Sequence, residues 1–194
     1  MKEKEEQRYG RDKATTVDKG FLENGEFRRK FDKISDSPKL NRLLYQLAKK
    51  MLLHRSGTRY EDMYWIDPVT CEVVASECTS TIEEKVIYSE KTIRAIEGRD
   101  DLITIHSHPS GFPPSVEDLN SNLTHSYVKG IVVTHKCSVF VYSSRSYIDP
   151  VYYNLKLDSM LLSGYNDFEA QMNTLTFFQD HSEIFIKEVT GNDD

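Results

Sequence analysis

A single α/β or α+β domain with a helical C-terminal extension is the architecture this sequence predicts, on three observations. β-branched runs and amphipathic stretches interleave along the chain. The length of 194 residues suits one domain with accessory helices, at roughly 100–200 residues per domain. A content of 38% hydrophobic and 29% charged residues is that of a globular chain with a polar excess.

Residues 1–36 are about half charged, with both signs mixed, and bury too little apolar surface to offset their ordering entropy. The spacing predicts disorder from Met1 to about Thr16, and a solvated tail is the simplest use of such a charge run. Phe21, Leu22, Phe27 and Phe31 can dock the later part of the segment onto the domain. Ser37-Pro38 opens the first helix, with serine as N-cap and proline at the first helical position. Leu40, Leu43, Leu44, Leu47, Met51 and Leu52 recur at three- and four-residue steps, and Ser56-Gly57 ends the helix. Residues 61–66 and 72–75 read as a hairpin around Asp67-Pro68, with Tyr64 and Trp65 in the sheet core. A helix over 89–97 and a strand over 102–106 follow. After a Pro/Gly/Ser loop come a helix over 116–125, a second hairpin over 129–134 and 138–142, and helices over 148–162 and 166–178. The domain therefore spans residues 37–145, with 146–194 as a helical extension packed on it. Tyr147, Tyr152, Tyr153 and Tyr165 suit that docking.

Composition excludes several classes. No apolar run approaches the roughly 18 residues of a membrane span, and the charged N-terminus has no apolar core of a secretory signal. A net charge of −6 without a basic cluster argues against direct nucleic-acid binding. Cys71, Cys78 and Cys137 form no C-x-x-C pair, which fits a reducing cytoplasm and excludes a cysteine zinc finger. Cys78 and Cys137 read as small hydrophobes. The oligomeric state is open.

The chemistry lies in residues 106–118, HSHPSGFPPSVED. His106 and His108, two apart at a strand end, leave the sheet on one face. Two such imidazoles are half of a zinc site. Asp118, on the first turn of the next helix, can fold back as third ligand and leave one tetrahedral corner open for water. A base must still take the water proton. Glu61, at the start of the strand after the first helix, is the candidate, with Glu72, Glu77, Glu83 and Glu84 as competitors. Ser115, three residues before Asp118, can point its hydroxyl into the same pocket and donate to an oxyanion. Asp62, Asp67 and Asp101 read as turn or surface residues. His54, His125, His135 and His181 read as structural, with only His125 and His135 near the site.

This pattern, Glu … His-x-His-Pro … Ser-x-x-Asp, resembles that of the JAMM (JAB, or MPN-plus) zinc metalloproteases. HSHPSG looks like the bacterial branch that includes the RadC-like proteins. The resemblance covers residues 40–144, and the loop Pro109 to Pro114 is one residue shorter than the family pattern. It implies a cytidine-deaminase-like mixed sheet with flanking helices, Zn²⁺ on His106, His108 and Asp118, Ser115 on the oxyanion side and Glu61 as general base. It further implies hydrolysis of a peptide or isopeptide amide, often at the C-terminus of a ubiquitin-like protein. The alternatives are a RadC-like role in DNA or mobile-element metabolism and a non-catalytic interaction module. A zinc deaminase is excluded, because no P-C-x-x-C accompanies the lone H-x-E at His181.

Overall fold

A computed structural model describes residues 12–191. Its centre is a six-stranded mixed sheet of order β2-β1-β3-β4-β5-β6. The strands are β1 (Met63–Asp67), β2 (Glu72–Glu77), β3 (Ile103–His108), β4 (Lys129–Thr134), β5 (Val139–Ser144) and β6 (Ile184–Glu188). Only β3 and β4 run parallel, joined through helix α5 (Val116–Thr124); the other neighbours are antiparallel. Five further helices, besides a short one treated with its neighbour below, complete the described residues: α2 (Gly25–Phe31), α3 (Pro38–Arg55), α4 (Glu90–Ile96), α6 (Pro150–Leu162) and α7 (Asp167–His181).

The α/β class is as the sequence predicts. Ser37 accepts from the Leu40 N–H and Pro38 opens α3, so that terminus forms as its residues dictate. Two regions differ from expectation. Residues 1–11 of the stretch expected to be disordered lie outside the described residues. Residues 12–16 are ordered: Lys13–Thr15 make a 3₁₀ turn, and Gly57 exchanges backbone hydrogen bonds with Asp12 and Thr15. Helix α1 (Lys19–Glu23) is capped by Asp18 and α2 by Asn24. Leu22, Phe27 and Phe31 are buried, as expected of side chains that dock this segment, and Ile34 is buried with them. At the other end the extension is not wholly helical. Ile184 and Ile186 join the cluster beneath α6 and α7, and β6 covers the edge of β5.

The sheet has one continuous and one divided face. On the first, Ile103 and Ile105 of β3 pack with Ile131, Val133 and the Leu44–Met51 side of α3. On the other face, Met63, Trp65, Leu102 and Tyr127 form one cluster, and Val132, Phe140, Tyr142, Leu119 and the α6–α7 pair form a second. The side chains of β3 between them are Thr104, His106 and His108, all buried. Trp65 donates to the Tyr127 hydroxyl at 2.9 Å, which satisfies its indole N–H.

Gly130 opposes Tyr142 across β4 and β5, and a Cβ there would collide with the Tyr142 ring. The ring therefore lies over bare backbone on the divided face. Gly130→Ala is expected to displace the ring and cost about 1–3 kcal/mol through overpacking, read as a lower urea midpoint and an altered near-UV circular dichroism spectrum.

Candidate metal centre

The crossover from β3 into α5 builds the site. Alternation along β3 sends His106 and His108 to the divided face, and their Nε2 atoms lie 3.0 Å apart. Asp118, on the first turn of α5, brings Oδ1 to 3.2 Å from His106 Nε2 and Oδ2 to 3.3 Å from His108 Nε2. At metal bonds of 2.0–2.1 Å, neighbouring corners of a tetrahedral site stand about 3.3 Å apart. The two imidazole nitrogens stand near that separation, Asp118 meets them with different oxygens, and among the described residues these three side chains are the group that could hold a metal ion.

Two of the three candidate ligands, His108 and Asp118, are held from behind. His108 Nδ1 donates to the Phe112 carbonyl at 3.2 Å, which leaves Nε2 as the lone-pair nitrogen of the neutral ring. Ser115 is the N-cap of α5. Its N–H and O–H donate to Asp118 Oδ2 at 2.8 and 2.9 Å, and its oxygen accepts from the Asp118 N–H. This capping box is both a helix start and a clamp on the carboxylate. His106 Nδ1 is buried without a hydrogen-bond partner.

A cavity of about 580 Å³ opens over these donors, lined also by Glu61, Glu84, Tyr88, Ser115 and Tyr142. Glu61 precedes β1 and is 7% exposed. Burial raises its pKa, partly opposed by His108 and His106. Burial likewise works against ionised Asp118, but His106 and His108 outweigh it and hold its carboxyl well below the usual range. For His108, burial lowers the pKa, but the hydrogen bond and charge of Asp118 with the charge of Glu61 push it up to about 9.

A raised imidazole pKa means a proton held more tightly, and a metal must displace it. Metal affinity is expected to rise about tenfold per pH unit from neutral pH up to about 9 and then level off. Isothermal titration in buffers of different ionisation heat checks this through the proton released.

The five candidates His106, His108, Asp118, Ser115 and Glu61 meet in one cavity. Of the competitors, Glu84 reaches its rim, and Glu77 is bound to Ser89 N and Oγ. Asp62, expected at the surface, is 1% exposed and paired with Arg55 and His54. Its burial depends on α3 lying alongside, which no local pattern encodes. His135 donates its N–H to the His108 carbonyl at 2.9 Å, with its ring on Thr15 O. His125 stacks on Tyr127. No helix among the described residues is long and apolar enough to cross a membrane. Comparison of the chain with protein-family models, with curated proteins and with solved structures finds no match, so the reading of the site rests on its own geometry.

Proposed function

We propose that this chain is a zinc-dependent hydrolase of peptide or isopeptide amide bonds, a JAMM-type metallopeptidase on a cytidine-deaminase-like JAB/MPN sheet. The carrying observation is the convergence of His106, His108 and Asp118 donors at 3.0–3.3 Å in one cavity with the buried carboxylate of Glu61. Two imidazoles and a carboxylate suit zinc, and three protein ligands leave a corner open. When bound, zinc supplies Lewis-acid polarisation of an amide carbonyl and acidifies water. Glu61 takes a proton from water and passes it to the leaving amine. Its burial raises its proton affinity toward what that exchange needs near neutral pH. The Ser115 O–H is spent on Asp118 in this structure; turning it to an oxyanion leaves the Ser115 N–H on Oδ2. The substrate is a peptide or ubiquitin-like protein with an extended C-terminal tail, a shape suited to strand addition at a sheet edge. All three cysteines are free, as in a cytoplasmic enzyme.

Elemental analysis tests the reading first. The zinc-reconstituted, desalted protein should hold about one ion per chain and His106→Ala less than about a tenth of that. Only the loaded wild type should cleave a ubiquitin-like fusion at its C-terminal amide. A wild type that retains no zinc overturns the proposal.

A further inference from the structure

Ser107 lies between the two histidines and points the other way. It is fully buried on the continuous face of the sheet, toward α3. Its Oγ accepts the Asp62 N–H at 3.0 Å, and its own N–H donates to the Asp62 carbonyl at 3.0 Å. The β1–β3 ladder pairs Met63 with His106, so Asp62 and Ser107 are the next opposed pair. There the Asp62 N–H bonds a side-chain oxygen instead of the Ser107 carbonyl, at the point where the chain entering β1 departs from β3. The serine hydroxyl extends the ladder by one residue.

The Asp62 side chain is gripped from the opposite direction. Arg55 Nε donates to Oδ1, and His54 Nδ1 lies 2.7 Å from Oδ2, both from the last turn of α3. Arg55 and Asp62 are almost wholly buried, at 3% and 1% exposure, so their pairing is protected from water and salt. Residue 62 is thus tied through its backbone to the ligand strand and through its side chain to the helix. Alternation turns the neighbouring Glu61 side chain toward the face that carries Met63, His106 and His108, and it lines their cavity.

We propose that Ser107, acting with the Asp62–Arg55 pair, is a positioning residue that registers Glu61 against the ligand histidines. Because Ser107 sits between His106 and His108, the ligands and Glu61 share one reference strand. The inference rests on the reading of Glu61 as general base, and its test separates the two.

The variants are Ser107→Ala, which lacks the acceptor, Ser107→Thr, which restores it, and Asp62→Asn, which keeps the backbone clamp but weakens the ion pair. The readouts are Asp62 amide exchange by NMR, zinc content, crystal structures of the zinc-loaded proteins, and hydrolysis of the ubiquitin-like fusion. Ser107→Ala should still bind about one zinc, lose tenfold or more of its Asp62 amide protection, and show the Glu61 carboxylate displaced. Its hydrolysis should fall about 100-fold, with no further loss when Glu61→Gln is added, and Ser107→Thr should recover both protection and rate. Asp62→Asn should fall between. An unmoved Glu61 in Ser107→Ala, or a wild-type rate with an exposed Asp62 amide, overturns the positioning role. If the zinc-loaded wild type hydrolyses nothing, the proposed function falls, and positioning is decided by the Glu61 displacement alone.

Discussion

Glu61→Gln should keep about one zinc per chain while slowing amide hydrolysis by about 10²–10⁴-fold, the usual contribution of a general base. Glutamine preserves the size and shape of the side chain but cannot accept the proton. Zinc is retained because the donors at 3.0–3.3 Å are His106, His108 and Asp118, not Glu61. The same substitution has a second signature in the metal-free protein. A carboxyl whose folded pKa is raised contributes stability below its unfolded pKa that is lost as pH rises through the folded value. At neutral pH, above the unfolded pKa, the wild type bears that burden and the neutral glutamine does not. Chelated Glu61→Gln is therefore expected to melt above chelated wild type near pH 7 and to lose that advantage in acid. An unaltered hydrolysis rate would remove Glu61 from the mechanism.

Phe27→Ala is expected to destabilise the fold by about 3–5 kcal/mol, the range for emptying a buried aromatic site. Phe27 is fully buried and meets Phe31 edge-on at 5.3 Å between ring centroids, with Tyr45 of α3 at 6.0 Å. These rings continue the core beneath α3. Were α2 part of a solvated tail, the urea midpoint would not move. A large shift with an unchanged m-value places α2 inside the cooperative unit. At roughly 5–15 kcal/mol of total stability for a domain, such a loss is a large share.

What the sequence disclosed depended on how local the encoding geometry is. His106 and His108 are two apart on a strand, and Ser115 and Asp118 three apart on a helix start. In each case the spacing alone sets the relation, and the donors meet as those spacings imply. The Ser37-Pro38 helix start is read the same way. Asp62 has no local signal: its partners are buried with it only because α3 returns along the sheet. Helices α1 and α2 were masked by Gly20, Gly25 and dense charge, although the caps Asp18 and Asn24 were present as signals. β6 is short, and its alternating Ile184 and Ile186 count as a strand only beside β5.

The origin of the donors from one short stretch, residues 106–118, bears on the order of assembly. Closing so small a loop costs little entropy and takes a fraction of a microsecond to microseconds. An ion can therefore be captured once β3 and the first turn of α5 meet, before the sheet is complete. Glu61 belongs to another part of the chain and reaches the donors only when β1 docks along β3. Under the proposed function, loading and cutting would then be separated in folding time: a half-built molecule would hold the metal but lack the proposed base, and competence would arrive with the final docking of the sheet.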